Sequence, residues 1–370
     1  MWRALHCLRA STCAPLVGFK SNLPPVGDRP NPCRTWSATG DTHTVKTPGR
    51  HITSESDTPK TLLSHTLFGS VPQDATGIEG AIRNRIPEID LQIARTPLET
   101  REMISSADIL MTAGLSEDVL DATNALRWVQ AVSSGVDFYP RDRLKEANIT
   151  LTNAAGIHGE PIAEQVLGYL LTFERQLHVA RDQQSQRRWQ RYEVGELRGK
   201  TLGLIGAGAV GTRLVEMLEP FEMEILVLRQ RPDMVLPGVA EVVGPDRLYD
   251  LLARVDYLVI ACPLTTTTSG MLGHEELGAL DASAVLINIA RGAIVDQRAL
   301  VAQLQSRGLR GAALDVFEDE PLAPDSPLWD LPNVLITPHM AGTSPNEAPR
   351  LAELFAENYA AFTRGASVFG

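Results

Sequence analysis

The sequence contains little cysteine and no apolar run long enough to cross a membrane. Four of its 370 residues are cysteine, and three of these, Cys7, Cys13 and Cys33, lie near the N-terminus. No metal-ligand spacing is present, so neither a disulfide framework nor a metal site is expected, and a reducing compartment is the simplest assumption. The longest apolar runs, such as residues 258–261, have the length of buried strands rather than the roughly 18 residues of a membrane helix.

Basic residues are outnumbered by acidic ones, 34 Lys and Arg against 45 Asp and Glu, which gives a formal net charge of −11 at pH 7. This balance argues against a nucleic-acid-binding surface. Residues 1–54 are the exception, with seven basic and two acidic residues, and an amphipathic pattern over residues 1–10 is followed by Ser, Thr and Pro. Such a composition is typical of a mitochondrial or plastid transit peptide. We expect residues 1–55 to be a targeting leader of a mitochondrial matrix protein, or else a disordered tail of a cytoplasmic one.

The rest of the chain is long enough for two domains with separate cores. Short strands alternate with helical stretches twice, which predicts mostly parallel sheets covered on both faces. The first set of predicted strands covers residues 61–68, 90–95, 107–112, 126–132 and 149–153, with helical stretches such as 77–85 and 117–124. One long helix is predicted over 161–188. The second set covers 200–206, 224–228, 256–261, 284–288, 311–316 and 334–337, with helices at 210–218 and 345–364.

A glycine-rich turn joins the first strand of the second set to its helix. It has the G-x-G-x-x-G pattern: Gly206 permits the tight turn, Gly208 lets a pyrophosphate approach, and Gly211 lets helix and strand pack closely. Unpaired N–H groups at the helix N-terminus attract phosphate. We therefore predict dinucleotide binding, although a glycine-rich turn without a ligand is the alternative. The predicted contacts are Gly206, Ala207, Gly208, Ala209, Val210 and Gly211.

The next strand ends in arginines where NAD enzymes usually carry an acidic residue. Arg229 stands 18 residues after Gly211, and Arg231 follows it. Guanidinium groups bind a 2′-phosphate well, and no carboxylate is present there to repel it. The sequence thus favours NADP(H) over NAD(H), unless the two arginines belong to a solvated loop.

Three later motifs place charged or titratable side chains at predicted strand ends, where ligands bind in an open parallel sheet. Arg291 lies in the motif of residues 288–296, Asp315 and Glu320 in that of residues 311–321, and His339 in that of residues 336–342. Singly, each has a structural interpretation: an arginine in a surface turn, a solvated acidic run, a loop histidine. Their order behind the glycine turn favours a common site.

These motifs resemble the D-isomer-specific 2-hydroxyacid dehydrogenases, and within them the glyoxylate/hydroxypyruvate reductases. The resemblance covers about residues 60–365 and includes Cys-Pro-Leu-Thr at 262–265. It implies that Arg291 binds the substrate, that Glu320 pairs with the histidine, and that His339 is the acid/base. Ser134 and Gly135 resemble the loop whose N–H groups bind the substrate carboxylate, although a plain strand–turn is the alternative. The resemblance also implies cofactor contacts by Cys262, Pro263, Thr268, Ala290 and Asp315.

Elementary chemistry agrees with these implied roles. Reducing a 2-keto acid takes a hydride at C2 and a proton at the carbonyl oxygen. An imidazole titrating near pH ~6.5 can supply and recover that proton, and a neighbouring carboxylate favours the imidazolium. The planar guanidinium of arginine can bind two oxygens at once, and the nicotinamide supplies the hydride.

The resemblance further implies an α/β fold of two Rossmann-like, doubly wound parallel-sheet domains. The nucleotide-binding domain, residues 157–340, would be inserted into a substrate domain of residues 60–156 plus 341–365, and the site would lie in the cleft between them. A homodimer is also implied. The substrate could be glyoxylate, hydroxypyruvate, pyruvate or a bulkier 2-keto acid. A dinucleotide-sensing corepressor or scaffold is the alternative function, whereas the motif order conflicts with an L-specific dehydrogenase.

Overall fold

The computed structural model describes residues 58–64, 75–136, 139–233 and 236–368. The predicted leader, residues 1–55, lies outside the described residues, as do residues 65–68 of the first predicted strand. Within the described ranges, no helix is both long enough and apolar enough to span a membrane. The described elements form two parallel sheets, and helices cover them.

The first sheet has five parallel strands in the order β2-β1-β3-β4-β5. Because the order reverses between β1 and β3, the carboxyl ends of these strands border a crevice. The strands are β1 (Lys60–Ser64), β2 (Asp90–Ala94), β3 (Ile109–Thr112), β4 (Trp128–Ala131) and β5 (Thr150–Thr152). The helices between them are α1 (Ala75–Arg85), α2 (Pro97–Met103), α3 (Glu117–Asp121) and α4 (Arg141–Glu146).

The second sheet has seven parallel strands in the order β12-β11-β10-β9-β6-β7-β8. Several of its strands are continuous apolar runs because helices cover both faces of the sheet. The strands are β6 (Thr201–Ile205), β7 (Glu224–Leu228), β8 (Glu241–Val243), β9 (Tyr257–Ile260), β10 (Val285–Asn288), β11 (Gly311–Leu314) and β12 (Val334–Ile336). Its helices are α5 (Gly159–Glu174), α6 (Leu177–Ser185), α7 (Ala209–Leu218), α8 (Leu248–Leu252), α9 (His274–Gly278) and α10 (Gln297–Gln305).

The last helix, α11 (Glu347–Thr363), returns to the first sheet and packs against α1. Phe355 of α11 stacks on Trp128 of β4, with ring centroids 5.3 Å apart. Below this stack, the buried Asn358 amide donates to Gln130 Oε1 of β4 at 3.1 Å. The second sheet is therefore inserted into the first domain, as predicted, while the boundaries at residues 156 and 341 stay predictions.

The predicted helix over residues 161–188 is wrong as a single element. It begins at Gly159 and breaks after Glu174, because Gln176 has a left-handed backbone with φ 48°. The returning chain stabilises the break: Arg175 donates to the carbonyl of Gly195, and Gln176 to that of Glu193. Strand β8 was not predicted from the sequence: it has three residues, and two of them are only partly buried.

Candidate active site

The glycine turn between β6 and α7 has the geometry that its three glycines predict. Gly206 has φ +92°, and a Cβ there would lie 2.8 Å from the backbone of Cys262. A Cβ on Gly211 would lie 2.8 Å from the carbonyl oxygen of Gly206. At Gly208, by contrast, a Cβ would meet no atom within 4 Å. The turn is thus closed on the protein side and open at Gly208, at the N-terminus of α7, which fits the pyrophosphate of a dinucleotide.

The loop after β9 lies directly beside this turn. Cys262 is buried there, and burial raises the pKa of its thiol to about 11, so the thiol stays protonated near neutral pH. Thr268 shapes the loop, since its hydroxyl donates to the carbonyl of Pro263 at 2.7 Å and accepts from the Thr265 N–H at 2.8 Å. Direct cofactor contacts by Cys262, Pro263 and Thr268 stay predictions.

Arg229 follows β7 on the other side of the turn. The strand end is next to the turn because the Gly206 N–H donates to the carbonyl of Leu228 at 2.9 Å. The Arg229 N–H donates to Val243 of β8, and Arg231 lies exposed two residues further on. The two predicted arginines are therefore at the edge of the dinucleotide turn, where a group that contacts the ribose 2′ position is expected.

Arg291 lies in a tight loop after β10. The buried side chain of Asn288 holds this loop, because it accepts from the Ala290 N–H at 3.1 Å and donates to the carbonyl of Arg291 at 3.0 Å. A Cβ on Gly292 would lie 1.8 Å from the backbone of Phe317, so only glycine fits there. The arginine loop is thus pressed against the loop that carries Glu320. Arg291 Nη1 also donates to the carbonyl of Ala290, at 2.8 Å.

His339 and Glu320 are hydrogen-bonded, with 2.6 Å between His339 Nδ1 and Glu320 Oε2. The other carboxylate oxygen, Oε1, accepts from the Phe317 N–H at 3.0 Å, which fixes the carboxylate plane. The imidazole is half exposed. Because Nδ1 faces Glu320 and no hydrogen bond to another described residue occupies Nε2, Nε2 is the atom that can reach a substrate.

Electrostatic interactions couple His339, Glu320 and Arg291. The hydrogen bond that His339 donates to Glu320 raises the pKa of His339 against the effect of burial. The charges of Glu320 and Asp315 also raise this pKa, while that of Arg291 lowers it. Burial by itself raises the pKa of Glu320. The hydrogen bonds from His339 and Phe317, with the charges of His339 and Arg291, outweigh burial and lower it. The pair therefore favours an imidazolium beside a carboxylate.

Asp315 organises the turn that carries His339. The residue is buried, and its carboxylate accepts from the Met340 N–H at 3.0 Å, from the Ala341 N–H at 2.9 Å, and from the Thr337 hydroxyl. The geometry thus gives Asp315 a role in positioning the turn. A contact between Asp315 and the cofactor, and one between Ala290 and the cofactor, stay predictions.

The predicted substrate loop follows β4. The backbone N–H groups of Ser134 and Gly135 donate to no other described residue, so they are available to a carboxylate. The Ser134 hydroxyl lies 3.1 Å from His158 Nδ1, and a Cβ on Gly342 would lie 3.1 Å from the His158 ring. His158 thus contacts both this loop and the end of the His339 loop.

These contacts of His158 could not be predicted, since the sequence shows it only as a residue between β5 and Pro161.

Together these groups can bind a small 2-keto acid and move a proton. Cationic Arg291, the two N–H groups of the β4 loop and an imidazolium are the partners that a carboxylate and a carbonyl oxygen require. Among the described residues, no group of three or more His, Cys, Asp or Glu side chains is arranged to hold a metal ion.

Comparisons with known proteins agree with this geometry. The family model for the D-isomer specific 2-hydroxyacid dehydrogenase NAD binding domain matches residues 167–341. The chain is 34% identical over 266 residues to a glyoxylate reductase from Thermofilum pendens, and the match covers 69% of this chain and 77% of the relative. It is 31% identical over 278 residues to glyoxylate/hydroxypyruvate reductase B from Yersinia enterocolitica, and the match covers 72% of this chain and 84% of the relative.

A solved structure has the same fold. It is an NADPH-dependent glyoxylate/hydroxypyruvate reductase from Sinorhizobium meliloti in complex with NADP and sulfate, with a TM-score of 0.73 and 25% identity. The match covers 84% of this chain and 96% of that one. None of these relatives supports the alternative of a corepressor or scaffold. The chain therefore belongs to the D-isomer-specific 2-hydroxyacid dehydrogenases, a family of enzymes that use a nicotinamide dinucleotide.

Proposed function

We propose that the enzyme reduces a small 2-keto acid, glyoxylate or hydroxypyruvate, to the 2-hydroxy acid, with NADP(H) as the preferred cofactor. The observation that carries this proposal is the hydrogen bond between His339 Nδ1 and Glu320 Oε2, at 2.6 Å, beside Arg291 at the carboxyl ends of the strands. It leaves Nε2 of an imidazolium to face the substrate. The relatives named as glyoxylate and hydroxypyruvate reductases support this substrate class.

When held at the turn of Gly206, Gly208 and Gly211, a nicotinamide dinucleotide would supply the hydride that reduces C2 of the keto acid. His339 donates the Nε2 proton to the carbonyl oxygen, which becomes the hydroxyl, and the proton is replaced from solvent before the next turnover. Arg291 binds the carboxylate and carbonyl oxygens and stabilises the negative charge that develops on the carbonyl oxygen. The N–H groups of Ser134 and Gly135 bind the remaining carboxylate oxygen. Glu320 keeps the imidazole oriented and charged.

The preference for NADP(H) rests on Arg229 and Arg231. Both follow β7 at the edge of the dinucleotide turn, where the 2′ position of the bound ribose is expected. A 2′-phosphate carries negative charge and several acceptor oxygens, which guanidinium groups bind through charge-assisted hydrogen bonds. The NADP-bound solved relative supports this choice.

A panel of substrates tests the proposal. We expect the full-length enzyme to reduce glyoxylate or hydroxypyruvate faster than pyruvate or bulkier 2-keto acids, with a lower KM for NADPH than for NADH. His339→Ala should abolish turnover and leave NADPH binding, followed by fluorescence titration, nearly unchanged. Turnover that survives in His339→Ala would overturn the assignment of the acid/base, and a clear preference for NADH would overturn that of the cofactor.

We infer a mitochondrial location from the basic character of residues 1–55. A fluorescent fusion of the full chain tests this location, and exclusively cytoplasmic fluorescence would contradict it.

We also infer a homodimer, since two-fold dimers are the commonest oligomers and the fully exposed side chain of Trp189 is available for a second copy to cover. A monomeric mass in light scattering would contradict the dimer.

A further inference from the structure

A buried tyrosine lies behind the turn that carries His339. The hydroxyl of Tyr169, on α5, is 2.5 Å from Thr337 Oγ1, and the residue is 4% exposed. Thr337 Oγ1 in turn donates to Asp315 Oδ1. The carboxylate of Asp315 then accepts the N–H groups of Met340 and Ala341, on the C-terminal side of His339. Tyr169 is therefore connected to the His339 turn through the Thr337 hydroxyl and the Asp315 carboxylate.

The direction of these hydrogen bonds follows from their chemistry. A carboxylate only accepts, so the Thr337 proton points to Asp315. Thr337 has a single hydroxyl proton, and the proton between Tyr169 and Thr337 must therefore come from Tyr169. Burial raises the pKa of Tyr169, so the phenol remains a donor throughout the neutral range. We call the hydrogen-bonded side chains of Tyr169, Thr337 and Asp315 the relay. Every donor of the relay points toward Asp315, which gives the turn one defined arrangement.

His339 needs this support because its backbone is strained. Its φ is +51°, in the left-handed region that residues with a Cβ seldom adopt. Such a conformation persists only where the surrounding contacts over-determine it. The His339 N–H donates to the carbonyls of Asp315 at 2.8 Å and of Thr337 at 3.0 Å. The same two residues whose side chains form the relay therefore also hold the backbone of His339.

Helix α5 links this relay to the dinucleotide turn. At the N-terminal end of α5, a Cβ on Gly159 would lie 3.3 Å from the carbonyl of Ala209, the first residue of α7. Glu160 binds Arg213 of α7 through two hydrogen bonds. Tyr169 is three turns further along the same helix. One rigid element thus contacts both the helix of the phosphate-binding turn and the turn of the acid/base.

We propose that Tyr169 is a positioning residue for His339, acting through Thr337 and Asp315 to hold the imidazole against Glu320. The proposal rests on the role of His339 in the function proposed above. Without the Tyr169 hydroxyl, Thr337 loses the donor that fixes its rotamer, and its hydrogen bond to Asp315 is weakened. The His339 turn then relaxes away from Glu320. Tyr169 touches neither substrate nor reacting atoms, so its effect reaches the reaction only through the geometry of His339.

The charges around His339 determine the sign of the expected change. Glu320 and Asp315 raise its pKa, and Arg291 lowers it. If the imidazole moves away from Glu320, the hydrogen bond that raises the pKa most is weakened, and the pKa of His339 falls. Reduction requires the imidazolium, so its rate then declines at a lower pH than in the wild type. A purely structural role of Tyr169 in the core would lower stability without moving this pH.

Tyr169→Phe is the direct test, since it removes the hydroxyl and keeps the ring. We expect kcat for 2-keto acid reduction to fall by roughly 3- to 10-fold, as for the loss of one buried hydrogen bond, with the dissociation constant for NADPH within about twofold of wild type. The alkaline limb of the pH profile should move to lower pH. Thr337→Val should behave similarly, and Thr337→Ser, which keeps the hydroxyl, should restore activity.

Tyr359→Phe is the matched control, because Tyr359 packs against Phe355 of α11 and makes no hydrogen bond with Thr337 or Asp315. It should leave kcat and the pH profile unchanged. NMR titration of the His339 imidazole measures its pKa without substrate, and so tests the positioning even if the wild type reduces no 2-keto acid. An unchanged imidazole pKa and pH limb in Tyr169→Phe, or an equal shift in Tyr359→Phe, would overturn the proposal.

Discussion

At the scale of single residues, the site depends on how His339 and Glu320 share a proton. Burial alone would lower the pKa of His339 and raise that of Glu320, yet both shift in the opposite direction because of their hydrogen bond. The imidazolium–carboxylate pair therefore stabilises the fold only while both groups are charged. The contribution of His339 is lost as pH rises through its raised pKa, and that of Glu320 is lost as pH falls through its lowered pKa.

The exchange of Glu320 for glutamine should separate the effect of the carboxylate charge on His339 from that of the side-chain shape. Glu320→Gln keeps the size of the side chain but removes the negative charge that favours the imidazolium, so the pKa of His339 should fall. We expect the alkaline limb of the kcat profile for reduction to move to lower pH, while the KM for the dinucleotide changes little. A steady-state pH profile in both reaction directions measures the shift.

Glu318→Gln is the control for that experiment, since Glu318 accepts from the Gln297 N–H at the start of α10. Its substitution should leave the profile in place. An alkaline limb that stays unmoved in Glu320→Gln would show that Glu320 does not determine the protonation of His339.

The motifs identified Arg291, Glu320 and His339 as candidates because residue type and order along the chain carried the information. They could not identify Tyr169, since its contact with Thr337 joins residues 168 positions apart. Nor could they predict the support that Asn288 gives to the arginine loop, which depends on how the chain turns after β10. A residue that acts through another residue cannot be recognised from the sequence around it.

At the scale of elements, the turn between β6 and α7 was predictable because its glycines are required by close backbone approaches within a few residues. The break between α5 and α6 was not, because it is stabilised by residues 193–195, which return to the helix end. Strand β8 is short and at the edge of its sheet, where little burial distinguishes its sequence from a loop. Local signals thus predicted the elements that local contacts define.

Gly211→Ala tests the close packing of α7 on β6. A Cβ there would lie 2.8 Å from the Gly206 carbonyl and 2.9 Å from Leu204, so the helix must shift and carry the phosphate-binding N–H groups with it. We expect the enzyme to be destabilised by about 1–3 kcal/mol, as in other overpacked sites, and NADPH to bind at least tenfold more weakly. Thermal unfolding and fluorescence titration measure the two effects.

The chain offers a matched substitution at Gly168, in the interior of α5, where a Cβ would meet no atom within 4 Å. Gly168→Ala should leave NADPH binding unchanged and stabilise the helix by roughly 0.5–1 kcal/mol. Equal NADPH affinity in the Gly211 variant and the wild type would contradict the packing argument.

At the scale of the whole molecule, the two sheets have separate hydrophobic cores. One core joins α1, the first sheet and α11 through residues such as Ile82, Trp128 and Phe355, whereas the cores on the two faces of the second sheet use other side chains. The insertion was implied by a family resemblance, since no local pattern reveals that α11 returns to the first sheet. Each domain should therefore respond separately to damage in its own core.

Phe355→Ala should damage the first domain selectively. The side chain is fully buried and stacks on Trp128, so its truncation should cost about 3–5 kcal/mol. We expect unfolding in denaturant to become biphasic, with NADPH binding lost only in the later phase. Phe173→Ala, in a core of the second sheet, should instead remove NADPH binding early. A single transition that abolishes NADPH binding in the Phe355 variant would contradict independent cores.

The return of α11 to the first sheet also has a consequence for synthesis on the ribosome. The second sheet is continuous in sequence, so all of its strands have been synthesised once residue 336 has been translated. The first sheet emerges earlier but cannot cover Trp128 until Phe355 and Phe362 arrive. Nascent chains therefore expose this apolar face during most of translation, when chaperones can bind it. The domain whose synthesis begins first is thus the last to be completed.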